Sequence, residues 1–204
     1  LLAEPESSLD SGVTPLPGVD YFVRIEVQGS GDATRIQAKV WEAGTPEPAE
    51  FQMQAVDAGD IRVTAGTVGV WAAGPGEKIF DDLAVLHESL LSEDFSAYGP
   101  EEDPDSWLDT DQRNSRDEVG ELFRIFEIDG NPALGARSDL VNIHSHFRSI
   151  AALGWSDYTY TGRMRLEPDE RGRAEGIGVT FFSRYTDPEA EEHDQYYRLR
   201  RTQR

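Results

Sequence analysis

Residues 78–95 read Lys78-Ile79-Phe80-Asp81-Asp82-Leu83-Ala84-Val85-Leu86-His87-Glu88-Ser89-Leu90-Leu91-Ser92-Glu93-Asp94-Phe95. Apolar residues gather at both ends of this stretch, and no glycine or proline breaks it, so two strands meet here through a tight join. Val85 and Leu91 are separated by only five residues. On this reading the first strand closes one β-unit and the second opens the next. Residues 1–87 are then the C-terminal half of a sandwich and residues 88–204 the N-terminal half. So short a link favours strands in successive, touching units, although a hairpin also fits it.

Outward from the join, period-2 alternation recurs in nearly every apolar segment. Tyr21, Val23, Ile25 and Val27 alternate with Arg24 and Glu26, and Ile36, Ala38 and Val40 alternate with Arg35, Gln37, Lys39 and Trp41. Gly29-Ser30-Gly31-Asp32 between them is a hairpin signal. Further strands are predicted over 51–55, 67–71, 79–86, 90–95, 122–128, 140–147, 158–166, 177–185 and 195–201, separated by Gly, Pro and Asp clusters. Residues 119–126 also suit a single helical turn. Many short strands with no sustained helical period predict an all-β fold, a sandwich or barrel of antiparallel strands.

The chain has 204 residues, no cysteine and a net charge of −20. Residues 1–88 carry 5 basic and 15 acidic groups, and the remainder 14 and 24, so each part is −10. Such a field repels nucleic acid and anionic membranes as general partners. The absence of cysteine removes disulfides, thiolate metal sites and cysteine nucleophiles. No apolar run is long enough to span a membrane, and Leu1-Leu2-Ala3-Glu4-Pro5 is no signal peptide, so the expectation is a mature, secreted or cell-surface fragment. Only Lys39 and Lys78 are lysines, against 17 arginines, which points to a GC-rich microbial genome.

Tyr21 to Val27, Ile36 to Trp41, Gly66-Thr67-Val68-Gly69-Val70-Trp71 and Phe80-Asp81-Asp82-Leu83-Ala84-Val85 resemble the closing strands of concanavalin A-like (laminin-G-like) lectin/glucanase jelly rolls. Glu93-Asp94-Phe95, Trp107, Asp157 to Gly162, Ile177 to Phe182 and Tyr196-Tyr197-Arg198-Leu199 resemble the opening strands. The resemblance covers most of the chain in rotated order. It implies an antiparallel two-sheet jelly roll, either permuted or cut from a tandem array. It also implies a lectin-like or glucanase-like role, with neighbouring copies of the chain as partners.

Glycosidases of that resemblance carry an acid-x-acid-x-acid strand, because retaining hydrolysis needs two closely set carboxylates. The nearest match is Glu127-Ile128-Asp129-Gly130-Asn131, in which Asn131 replaces a carboxylate and Asp129-Gly130 is a strong turn signal. The expectation is therefore a non-catalytic chain, with a glycoside hydrolase as the alternative. His144 and His146 share a strand face, which is half a metal site or a solvated or hydrogen-bonded pair; His87 and His193 are the other histidines. Asp81 shares parity with Leu83 and Val85, and Glu93 with Leu91 and Phe95, so both carboxylates are expected on the apolar side. Calcium held by Asp81 and Glu93, with Asp82 and Asp94 as neighbours, would satisfy them, as would backbone amides at a sheet edge. The resemblance adds that related jelly rolls hold a structural calcium where the first and last strands meet.

Arginines and aromatics share one parity over several strands: Arg163 and Arg165; Thr180, Phe182 and Arg184; Tyr196, Arg198 and Arg200. Arg24, Arg35, Lys39 and Trp41 extend the set. If these lie on one sheet face, Trp41, Arg163, Arg165, Arg184, Tyr196, Arg198 and Arg200 form a ligand surface suited to an acidic glycan or an acidic neighbouring subunit. The expected function is a non-catalytic extracellular β-sandwich module with a structural or adhesive role, a repeat unit of a large surface protein or filament. A calcium-stabilised spacer without ligand is a further alternative. The expectation for assembly is that each half is completed by the complementary half of a neighbouring unit.

Overall fold

The computed structural model describes residues 9–29, 31–87, 91–111, 122–185 and 195–201. The expectations at Ser30, Leu90, His193, 119–121 and 202–204 lie outside them. Among the described residues the strands are β1 (Asp20–Gln28), β2 (Thr34–Glu42), β3 (Met53–Asp57), β4 (Thr67–Ala73), β5 (Glu77–Leu86), β6 (Leu91–Glu93) and β7 (Trp107–Thr110). They continue with β8 (Arg124–Ile128), β9 (Asn131–Arg137), β10 (Ile143–Phe147), β11 (Thr159–Glu167), β12 (Gly176–Ser183) and β13 (Tyr197–Arg201). One 3-10 turn, Ala151–Gly154, is the only helical piece described. No helix among these residues is long and apolar enough to cross a membrane.

The strands form two antiparallel sheets. One has eight strands in the order β3-β2-β1-β11-β5-β9-β8, with β6 added against β5; the other has five, β13-β12-β4-β10-β7. Tyr21, Val23, Ile25 and Val27 face inward from β1, as their alternation requires, and meet Val68, Val70 and Ala72 of β4 and Val179 and Phe181 of β12 in one core. Buried phenols tie the layers together: Tyr160 Oη donates to the Gly69 carbonyl at 3.3 Å, and Tyr158 Oη accepts from Phe182 N–H at 2.9 Å. Burial holds both phenols well above their ordinary pKa, so they stay protonated.

The two halves of the chain complete each other. β11 lies between β1 and β5, and β4 lies between β12 and β10. This corrects the expectation that each half borrows a neighbour's strands: strands of the two halves pair with each other within the chain. The strands on either side of the join, β5 and β6, pair antiparallel, with Leu83 opposite Glu93 and Val85 opposite Leu91. A five-residue link is ample for antiparallel strands, whereas separated units were expected.

Two bulges shift side chains away from simple alternation. β5 carries three steps from Ala84 to Asp81 against two in β11 from Thr161 to Arg163, and Asp82 takes the left-handed φ of 51°. Phe80, Leu83 and Val85 consequently all enter the core, while Ile79 and Asp81 face outward. In β12 a second irregularity between Thr180 and Ser183, with Phe182 at φ 49°, turns Phe182 inward as well. Strand β3 begins two residues later than expected, and β7 and β9 were not foreseen.

Candidate functional site

The outward residues of the five-stranded sheet line up in two rows. Arg200, Gly178, Trp71, His144 and Thr110 pair across β13, β12, β4, β10 and β7. Arg198, Thr180, Gly69, His146 and Leu108 form the next row. The glycines make room within each row. A side chain at 178 would collide with the Leu199 carbonyl and Arg200, and one at 69 with His146, Thr180 and the Ser145 carbonyl.

Across Gly178 the Arg200 guanidinium lies 5.6 Å from the Trp71 ring centre, and Arg198 lies closer, at 4.5 Å. Arg198 Nη1 donates to Asn142 Oδ1 at 2.7 Å, and Trp71 Nε1 donates to the same oxygen at 3.1 Å. Tyr196 adds a ring face 5.8 Å from the Arg198 guanidinium. Burial lowers the Arg198 pKa, the Tyr196 phenol raises it and Arg200 lowers it again. Arg24, Arg137, Arg163, Arg165 and Arg173 each pair with a carboxylate. No ion pair reaches Arg198 or Arg200 among the described residues. Two cations over one indole, with no carboxylate paired to them among the described residues, make a local positive face on a chain of net charge −20.

Beneath and beside them the two histidines are buried. Their rings stack at 5.3 Å, with His146 4.5 Å from Tyr185 and His144 5.1 Å from Tyr196. His146 Nδ1 pairs with Ser183 Oγ at 3.0 Å and His144 Nδ1 with Thr110 Oγ1 at 3.4 Å. Burial, and for His144 also the Arg198 charge, pushes His144 down to about 3; burial and His144 push His146 well below the usual imidazole value. Both rings are thus neutral, and the charge of the face belongs to its arginines. The pair is hydrogen-bonded and buried, so the solvated reading of it does not hold. Among the described residues no group of three or more His, Asp and Glu could hold a metal ion.

The sequence-derived ligand set does not form one surface. Arg198 and Arg200 belong to the five-stranded sheet, with Tyr196 just before β13, while Trp41, Arg163 and Arg165 face outward from the eight-stranded sheet on the other side of the sandwich. Shared parity places residues on one face only within one sheet. Arg184 follows the β12 bulge, and its N–H donates to the Gln195 carbonyl at 3.0 Å. Trp71, Asn142 and Tyr185 were missing from the set; the outward parity of Trp71 between Val70 and Ala72 was the available signal.

Nor do the carboxylates converge. Asp81 faces outward and bonds Arg163, whereas Glu93 lies opposite Leu83, on the inward side, and accepts from Phe95 N–H at 2.9 Å. The bulge at Asp82 is the reason, since it reverses the parity that placed Asp81 with Leu83. Burial raises both carboxyl pKa values. Asp82 reaches Arg163 at 3.3 Å, and Asp94 accepts from Ser96 N–H at 3.0 Å. Glu127 is exposed on β8, Asp129 at φ 54° with Gly130 at φ 82° forms the β8–β9 turn and Asn131 opens β9, so the glycosidase-like triplet is spread over a hairpin and not along one strand. Comparison with models of known protein families and with curated proteins finds no match.

Proposed function

We propose that this chain is a non-catalytic extracellular module that binds an acidic glycan on its five-stranded sheet, within a surface protein of structural or adhesive role. A concanavalin A-like jelly roll is part of this reading, and the all-β, two-sheet architecture is compatible with it. The observation that carries the proposal is the pair Arg198 and Arg200, both over Trp71 and neither joined to a carboxylate among the described residues. A uronate or sulfate group can accept two parallel N–H bonds from a guanidinium, which a lysine could not offer. The surrounding negative field disfavours anionic ligands in general, so only one that fits this local positive face is retained.

A glycan array with uronate-containing, sulfated and neutral oligosaccharides tests the proposal. Acidic glycans are expected to bind, with a loss of about tenfold in Arg198→Ala or Arg200→Ala, as for one charge-assisted contact. Acidic binding that survives both substitutions would place the ligand elsewhere. No binding at all would favour a spacer.

A further inference from the structure

We propose that the opposite face of the sandwich carries a second, separate site, for a neutral hexose ring stacked on Phe22 and Trp41 with a hydroxyl group in the adjoining polar cleft. Trp41, Phe22, Arg163 and Asp81 stand directly opposite one another across β2, β1, β11 and β5. Directly opposed residues on neighbouring strands project from the same face, so the row runs unbroken from aromatic platform to charged cleft. The two rings lie 5.6 Å apart at 35° and are half-buried, leaving ring surface in solvent. Such a platform offers an apolar face to the C–H side of a pyranose while its edge groups remain free to bond hydroxyls.

The cleft beside it is lined by Asp20, Asp81, Asp129, Asn131, Arg163 and Arg165, and its volume is about 40 Å³. That exceeds the ~10–15 Å³ one water needs, so it has room for a hydroxyl or hydroxymethyl group. Its polar groups are held before any ligand arrives. Arg163 bonds Asp81 and lies 3.7 Å from Asp20, and Arg165 contacts Asp129 at 3.2 Å and Glu167 at 3.1 Å. Carboxylates accept from a sugar hydroxyl and guanidiniums donate to it, so alternating the two suits a group that does both.

Charge distinguishes this ligand from that of the other face. Asp20, Asp81, Asp82, Asp129 and Glu167 surround Arg163 and Arg165, an excess of carboxylates that repels uronate and sulfate. A bare cation would have to displace guanidiniums already bonded to those carboxylates. A neutral polyol avoids both costs. The module then presents two faces with different chemistries and can bridge an acidic and a neutral polymer.

The test uses the whole chain on a panel of neutral hexose oligosaccharides, with choline as a cationic competitor. Trp41→Ala is expected to lose about tenfold or more in affinity for the neutral ligand, and Trp41→Phe, which keeps a ring, to lose less. Arg198→Ala and Arg200→Ala are expected to leave neutral binding unchanged while weakening acidic binding. That split separates this site from the one proposed above. Neutral binding unaffected by Trp41→Ala, abolished by Arg198→Ala or displaced by choline would overturn the second site, as would no neutral binding at all.

Discussion

Arg198 and Trp71 share a single acceptor: Arg198 Nη1 and Trp71 Nε1 both donate to Asn142 Oδ1, at 2.7 and 3.1 Å, while the guanidinium lies 4.5 Å from the indole centre. Asn142 holds a φ of 64°, a conformation that asparagine and glycine tolerate better than other residues. Asn142→Gly therefore retains the backbone and removes only the acceptor. Affinity for an acidic glycan is expected to fall about three- to tenfold, near 1 kcal/mol for one hydrogen bond, with a smaller change in stability. Titration of the variant against the parent chain checks this.

The buried histidines make stability fall in acid. The folded pKa of His144, about 3, and that of His146 lie below the unfolded value near 6.5. Between pH 6.5 and 3 the unfolded chain therefore binds protons that the folded chain does not. Each histidine can lower stability by up to about 1.4 kcal/mol per pH unit in that window, and neither contributes a slope above pH 7. Urea unfolding at pH 7, 6 and 5 should show the decline, and His144→Phe should reduce its slope. Stability unchanged from pH 7 to 5 would mean that the rings are not held neutral.

Asp82 sets which face Asp81 occupies. At φ 51° its Cβ is strained, so Asp82→Gly is expected to be neutral or mildly stabilising, and Asp82→Val to cost about 1–2 kcal/mol. Thermal melts of the two variants check the order. Because Asp81 and Glu93 project to opposite sides, chelator is expected to leave the melting temperature of the parent chain unchanged through this pair. A fall in chelator that Asp81→Asn abolishes would place an ion there after all.

Strand identity was legible wherever apolar residues alternated, as in Tyr21 to Val27 and Arg35 to Trp41, because a half-buried sheet writes a period of two into the sequence. β9 was obscured by Pro132 and Gly135, both poor strand formers. Gly135 is needed because the Phe126 ring lies where its side chain would be. The bulges at Asp82 and Phe182 carry no compositional mark, yet each moves a residue to the other face, which is why the Asp81–Glu93 pairing and the place of Phe182 were misread. Parity also says nothing about which sheet a strand joins. Arg163 and Arg198 were therefore placed on one surface, although the sandwich puts them on opposite sides.

Lys78 is fully buried, and its Nζ donates to the carbonyls of Gly74, Pro75 and Gly76 in the β4–β5 turn. Burial pushes its pKa down to about 8, against the opposing pull of Glu175 and Asp139. Lys78→Met fills similar space but leaves those acceptors without a donor. A loss of about 2–4 kcal/mol is expected in urea unfolding, more than for an exposed lysine.

Binding of an acidic oligosaccharide by calorimetric titration at two salt concentrations addresses the Arg198–Arg200 face most directly. The account predicts binding that weakens with salt and an Arg198→Lys variant that loses affinity although its charge is kept, because lysine lacks the planar stack on Trp71 and the paired donors. Equal affinity for the neutral counterpart of the same oligosaccharide, or an Arg198→Ala/Arg200→Ala double variant that binds like the parent chain, would contradict it.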